Sequence, residues 1–417
     1  MNNAIEQQPG THPSFFYGYV LVIASVCIMA LFVGTLGAFG VFFKPLLNEF
    51  GWTRATVSGA FSLCWILQGA LALIMGKLTD RFGPRFVMTL CSLFLGIGYL
   101  SMSRLGSIRH FYFLYGIIGV GMSGLNVALV STAARWFIKR RGLMTGIILA
   151  GGGLGTLTSP PLAHWLISSF SWRQSYAIMG AVVLIMAILA AQFLRRDPAK
   201  MGQLPYGYDS VGDTDLVKGS EAEGGSFKET VRIKSLWMIA GMFFSLGFCL
   251  YVIIVHIVPH ATDLGISASR AATLLAVAGG VAIVGRIVLG SAGDKIGNRR
   301  TFIVSMALMT FSLLLFIMAK EYWMLFIAVM IISFSWGVGV LGSPIIAEFF
   351  GLKALGMNVG VINLCYSVGA AAGPFMAGFI FDTTRSYRTA FMLTTLVAFA
   401  AFVLSVFLRP RLHGEIV

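Results

Sequence analysis

Apolar runs long enough to cross a bilayer recur twelve times in this chain, and no other feature restricts its fold as tightly. A spanning helix takes about 20 mostly apolar residues. On that rule the spans fall at roughly 17–43, 54–79, 86–104, 110–137, 143–169, 174–195, 236–262, 269–293, 301–319, 322–350, 355–382 and 387–408. Lipid offers no partner for a backbone N–H or C=O, so each run has to bond internally as a helix. The composition agrees: 57% of residues are hydrophobic and 11% are charged, where a soluble domain carries about 25% charged residues. The expected fold class is an all-α membrane protein.

One long polar stretch interrupts the series. Arg196 to Ile233, rich in Asp, Glu, Lys, Gly and Ser, splits the spans into two sets of six. The expected organisation is a six-helix bundle over 1–195, a linker over 196–234 and a second six-helix bundle over 235–417. Met1 to Ser14 is polar, lacks the basic and apolar regions of a cleavable signal, and is expected to be a disordered tail. The two sets repeat each other. Gly51, Gly76, Asp80, Gly83, Arg85, Gly142, Gly146, Gly155 and Pro160 recur 214 residues later as Gly265, Gly290, Asp294, Gly297, Arg299, Gly356, Gly360, Gly369 and Pro374. Glycines alone would mean little among 49, but an Asp, an Arg and a Pro share the same ungapped offset. Two pseudo-symmetric six-helix bundles follow. Such repeats, with a site near the midplane where they meet, mark secondary transporters.

The net charge of +14 raises the question of a nucleic-acid partner, and its distribution answers it. Of the 30 Lys and Arg, 20 fall in every second loop and the C-terminal tail, 9 in the loops of the other face, and one within a span. That alternation is membrane topology rather than a nucleic-acid footprint. It places both termini and the linker in the cytoplasm of a multi-pass inner-membrane protein. Cys27, Cys64, Cys91, Cys249 and Cys365 all lie in apolar runs with no CxxC or Cys/His spacing. They are read as small buried hydrophobes, with no disulfide, metal or cofactor implied.

The one cation within a span is Arg286, in LLAVAGGVAIVGRIVLG from Leu274 to Gly290. It lies about eight residues from Asp294, or ~12 Å inside that face at 1.5 Å per residue. A guanidinium at such depth costs at least roughly 2.5–3.5 kcal/mol on insertion scales, so it should face a partner or a watery cavity. The acids that might pair with it, Glu49, Asp80, Asp263, Asp294, Glu321, Glu348 and Asp382, all sit near span ends. Substrate anchoring is therefore favoured over a structural ion pair, because the planar fork of Arg matches a carboxylate.

The sequence around these residues carries a family resemblance. GKLTDRFGPR, between spans two and three, resembles the G-x-L-x-D-R-x-G-x-R loop of the major facilitator superfamily, and GSAGDKIGNR is a degenerate second copy. RWFIKRRGLMTGIILAGGGLG, Arg135 to Gly155, is similar to the signature leading into the fifth span in the monocarboxylate transporter branch. That branch has bacterial relatives, oxalate/formate exchangers among them. The resemblance implies that Arg286 aligns with the intramembrane arginine used for a substrate carboxylate. It also exposes departures. The additional lysine that oxalate exchangers carry in the eleventh span is missing, Lys353 lying before that span, and a single cation favours a monoanion. The aspartate and lysine tied to proton coupling in animal members are replaced by Ala282 and Gly37.

His256, in VIIVHIVPH, is the substitute proton group, since its ordinary pKa near 6.5 suits a shuttle. Packing of an extracellular gate through hydrogen bonds is the equal alternative. Helical phase puts Tyr115, Gly119, Met122 and Asn126 on one face of the fourth span, and Asn363, Tyr366 and Ala370 on one face of the eleventh. Tyr115, Asn126, Asn363 and Tyr366 are thus candidate substrate contacts, although such groups also glue helices together. Trp65, Gln68 and Trp336 are weaker candidates. Asp80 and Asp294 end spans two and eight, and are expected to close an inner gate with Arg81, Arg85 and Arg299 as partners. Gly151 to Gly155 lies mid-span without the Lys-Ser/Thr of a phosphate loop, and is read as close helix packing.

The expected function is proton-coupled transport of a short monocarboxylate such as lactate or pyruvate by alternating access, from a monomer in lipid. Anion exchange without a proton is the alternative. A non-transporting sensor is disfavoured, because the linker is too short for a signalling domain. An enzyme is not expected, since no nucleophile–base pair or metal constellation is present.

Overall fold

The computed structural model describes residues 16–138, 140–207, 227–351 and 354–408. The expected N-terminal tail, residues 208–226 of the linker and Lys353 lie outside the described residues. Among the described residues, twelve helices are long and apolar enough to cross a membrane. They are α1 (Gly18–Phe50), α2 (Arg54–Phe82), α3 (Pro84–Met102), α4 (Ile108–Trp136), α5 (Arg141–Ser169), α6 (Trp172–Ala191), α7 (Lys234–Asp263), α8 (Ala268–Ile296), α9 (Asn298–Met318), α10 (Tyr322–Phe350), α11 (Leu355–Thr384) and α12 (Arg388–Phe407). Most expected boundaries hold to within a turn; α1 runs further, to Phe50. Helix starts are written locally. Thr53, Ser107, Ser171 and Ser267 each accept a backbone N–H of the first turn, satisfying a donor that the helix itself leaves free.

The 214-residue repeat becomes two six-helix bundles. Gly83 and Gly297 both take φ near +90° (85° and 91°) before the helices that follow them, a conformation other residues adopt only under strain. Gly155 of α5 lies against the Ala30 carbonyl of α1, and Gly369 of α11 lies against the Phe244 carbonyl of α7. Ala30 and Phe244 are themselves 214 apart, so the same backbone-to-backbone contact is made twice. Any Cβ at either glycine would collide with that carbonyl.

The bundles meet through α1 and α7, through α2 and α11, and through α5 and α8. The ends of the linker are ordered against the first bundle. Tyr206 donates its N–H to Trp136 O (2.8 Å) and accepts the N–H of Ile138 (3.1 Å). The side bearing these segments is called the linker face, and the opposite side the far face. Toward the linker face, Gly142, Gly146, Gly356 and Gly360 have open space where a Cβ would stand.

These positions make a matched pair of tests. Gly369→Ala should destabilise the detergent-solubilised protein by about 1–3 kcal/mol, the usual range for an overpacked contact. Gly360→Ala, at an open helical site, should leave the thermal midpoint unchanged or raise it. Equal midpoints for the two variants would contradict the described α7–α11 contact.

Candidate functional site

Arg286 lies ten residues from the end of α8, or ~15 Å along the helix, and is half-buried. Its orientation is set by packing behind it. Gly337, on a tight 3₁₀ stretch of α10 (Trp336–Leu341), lies directly on the backbone of Gly285 and Arg286. The guanidinium crosses to the other bundle and donates from Nη1 to the Leu149 carbonyl of α5, at 2.6 Å. The bundle that carries Arg286 also carries Tyr251, buried on α7, and Tyr366, half-buried on α11. Their rings are 6.3 Å apart, and Trp65 of α2 packs 4.4 Å from Tyr251 and 6.0 Å from Tyr366. The indole N–H of Trp65 and the side-chain oxygen of Gln68 are buried without a partner.

Five of the seven candidate carboxylates are engaged elsewhere. Asp263 takes Lys44 (2.9 Å) and Arg54 (2.6 Å), Asp80 takes Arg135 (2.7 Å), Glu49 takes Arg173, and Glu348 takes Asn298 (2.6 Å). Asp382 caps the N-terminus of α2, accepting the backbone N–H of Arg54 (3.0 Å) and Ala55 (2.8 Å). Among the described residues, no carboxylate pairs with Arg286.

The other candidate residues divide. Tyr366 belongs to the group around Tyr251 and Trp65, and Asn363 lies one turn away on α11, exposed. Tyr115 and Asn126 do not share a face as helical phase suggested. The α-helical run of α4 is interrupted at Ser123 and Gly124. Tyr115 is buried within the first bundle against Phe39 (5.5 Å) and Phe111 (4.9 Å), whereas Asn126 is exposed.

His256 is fully buried on the far-face side. Its Nε2 lies 2.9 Å from the Pro374 carbonyl, which can only accept, so Nε2 carries the hydrogen. Nδ1 then accepts from Tyr387 OH at 2.9 Å, and that hydroxyl in turn accepts from Arg54 Nη1 at 2.6 Å. Ser58 of α2 is 3.3 Å from Nε2. Both ring nitrogens are therefore occupied in the neutral form, and the ring ties α7 to α2, α11 and α12.

The residues expected to close an inner gate do not pair with one another. Asp80 bonds Arg135, Arg85 bonds Gln192 (2.8 Å), Arg299 donates to Val406 O (2.6 Å), Arg81 stacks on Phe82 at 5.2 Å, and Asp294 is exposed. All of these contacts stay within one bundle. The correction has a physical reason: Asp80, Arg81, Arg85 and Arg299 have partners within their own bundle, and each is engaged there. Ionic closure is instead on the far face, where Lys44 and Arg54 of the first bundle hold Asp263 and Asp382 of the second. Arg54 also lies 3.7 Å over the Phe381 ring.

Sequence reasoning missed this latch and missed Tyr251. Arg54 and Asp382 were visible only as span-end charges on the face poor in cations. Tyr251 carried no signal of its own beyond a phenol in an apolar run.

Two six-helix bundles with a charged group at mid-span on their seam have the form of a membrane transporter. A family model of the Major Facilitator Superfamily matches residues 21–291 and 237–416, and the chain belongs to that superfamily. Its members are transporters, not enzymes. Curated relatives include an oxalate:formate antiporter of Oxalobacter formigenes, 28% identical over 403 residues, with 94% of this chain and 92% of the relative covered. Monocarboxylate transporter 13 of Rattus norvegicus is 26% identical over 385 residues, covering 91% and 86%. Among solved structures, a bacterial homolog of the human lysosomal transporter Spinster, inward-facing and occupied, superposes with a TM-score of 0.69 at 17% identity. It covers 96% of this chain and 95% of its own.

The far-face latch generates a test. On a background lacking the five native cysteines, Ser58→Cys should be shielded from a membrane-impermeant maleimide added at the far face. Adding Arg54→Ala, which removes hydrogen bonds to a charged group worth about 1.5–3 kcal/mol, should speed labelling by about tenfold or more. Unchanged labelling would show that these contacts do not hold the far face shut.

Proposed function

We propose that this protein carries short monocarboxylates, lactate and pyruvate among them, together with a proton across the cell's inner membrane. The observation that supports this reading is a guanidinium at mid-span, on the seam between bundles, whose described hydrogen-bond partner is a backbone carbonyl and not a carboxylate. Its planar fork can take a carboxylate bidentately. A single cation balances a single negative charge, whereas a dianion would leave its second carboxylate without a counter-charge in low dielectric. The relatives whose names include monocarboxylate transport favour the same cargo class.

In this reading Arg286 binds the carboxylate, with Tyr366 and Asn363 of α11 beside it. The bodies 1–195 and 235–417 rock about that site as a monomer in lipid, joined through 196–234. The linker face is cytoplasmic, by its excess of Lys and Arg. Cotransport of a proton makes the step electroneutral and spares the dehydrated complex a net charge. His256 is the candidate group for that proton, and it becomes free to titrate once the far face opens and Tyr387 and Pro374 release its ring. Anion exchange without a proton is the second reading, favoured by the oxalate:formate antiporter among the relatives.

Uptake of radiolabelled lactate into proteoliposomes tests the assignment. Arg286→Gln should lower uptake about a hundredfold, the equivalent of a lost charge-assisted pair, while leaving folding intact. Uptake by the wild type should rise as external pH falls. Flat dependence would remove the symport claim, and trans-stimulation by a counter-anion would put exchange in its place. His256→Gln should flatten the pH response if the ring carries the proton; a retained response would assign it to packing alone.

A further inference from the structure

The two pseudo-symmetric seams end differently at the far face. On the α2–α11 seam, a Cβ at Gly378 would meet the Arg54 carbonyl and the Ala55 nitrogen at 2.9 Å, so the helix ends touch backbone to backbone. Asp382, one turn on, sets its carboxylate on the N–H groups of Arg54 (3.0 Å) and Ala55 (2.8 Å). At the 214-residue offset, Gly378 corresponds to His164, Asp382 to Ser168, Arg54 to Ala268 and Ala55 to Ser269. An imidazole cannot occupy a backbone-to-backbone contact. There the α5–α8 seam opens into a crevice of about 160 Å³, whose lining includes Lys44, His164, Ser168, Thr262 and Ala268. Both helices keep a hydroxyl cap of their own, Thr53 on the Thr56 N–H and Ser267 on the Arg270 N–H. What α8 lacks at the matching position is the acid that α2 receives from the other bundle.

We propose that this crevice is a second anion site, which takes the carboxylate of a short acid where Asp382 stands on the other seam. Lys44 of α1, His164 of α5 and the first amides of α8 hold it. The charges favour an anion. Lys44 and Arg54 share the one carboxylate of Asp263, at 2.9 and 2.6 Å, so two cations divide a single negative charge. An ammonium has three donors, and can hold Asp263 and a second anion together. A neutral imidazole still offers one N–H, and a helix start favours negative charge. Among the described residues, no Asp or Glu lines the crevice. A short acid fits the volume, since a water takes roughly 30 Å³ in the liquid. Ser168 and Ala268 are exposed, so the site is reached from the far face while the latch is shut. It is distinct from the mid-span anchor: His164 lies 15 residues beyond Leu149 on α5, or ~22 Å along the helix. A cleft of one sign raises the local concentration of its counter-ion and its on-rate, so the site gathers cargo ahead of the gate. That last role rests on the proposed function; carboxylate binding in the crevice does not.

The test uses the full-length carrier with Ser168→Cys as reporter, on a background lacking the five native cysteines and carrying Arg286→Gln, so that the mid-span anchor plays no part. Sodium lactate replaces sodium chloride at constant ionic strength, and labelling by a membrane-impermeant maleimide is timed. Lactate should slow labelling saturably, about tenfold at ten times the half-protecting concentration. Lys44→Gln and His164→Ala should each raise that concentration about tenfold, the value of a hydrogen bond to a charged group. Comparing concentrations rather than rates removes any effect of Lys44→Gln on the latch itself. Labelling that lactate does not slow, or protection unchanged in both variants, overturns the proposal. So does protection seen only with Arg286 intact, since it would then report binding at mid-span. Protection in a carrier that takes up no lactate keeps the site and removes the proposed cargo, whereas uptake without protection removes the site alone.

Discussion

Everything at the centre of this protein is arranged around a guanidinium that lipid cannot solvate. Arg286 is held on a helix whose packing against α10 leaves it one direction to point, toward the other bundle. There it finds a backbone carbonyl, which does not cancel a positive charge. A buried cation with a permanent carboxylate would be a structural pair, costly to assemble and silent afterwards; one stabilised only by dipoles keeps its attraction for an anion that comes and goes.

The symmetry of the fold makes that charge easier to interpret. The residue 214 positions before Arg286 is Ala72, so the first bundle has no equivalent cation. The seams are unequal in the same manner. On one, Asp382 caps α2 in trans and Arg54 reaches Asp263. The repeat mates of Asp382 and Arg54 are Ser168 and Ala268, which line a crevice of about 160 Å³ at the α5–α8 seam together with Lys44, His164 and Thr262. A duplicated scaffold has been kept where it builds helix contacts and altered where it meets charge. In this structure α2 is capped and ion-paired across one seam, while the α5–α8 seam is bridged by Arg286 on the Leu149 carbonyl.

Much of this was legible without coordinates, and the limit is physical. Length and apolarity gave the spans because lipid leaves a backbone no alternative to the helix. The repeat was legible because glycines at close crossings and at positive φ cannot be replaced freely, as Gly155, Gly369, Gly83 and Gly297 illustrate. Arg286 stood out because a charge in an apolar run is expensive. What sequence could not supply was juxtaposition across the seam. Tyr251 and Trp65 come from different bundles, and nothing local says that they touch. Asp80 and Asp294 carry a motif that suggested a gate, yet ion pairs form where helix ends converge, and here they converge on the far face. Asn126 illustrates a subtler failure, since helical phase extrapolated past Ser123 and Gly124 assumes a helix that does not break.

The central claim is that Arg286 is the seat of the cargo's negative charge. A structure of the carrier determined with lactate bound tests it most directly. The account requires the lactate carboxylate within hydrogen-bonding distance of the Arg286 guanidinium, at the depth of Tyr251 and Tyr366. Lactate seated elsewhere, with that guanidinium untouched or clamped by a protein carboxylate, would contradict it.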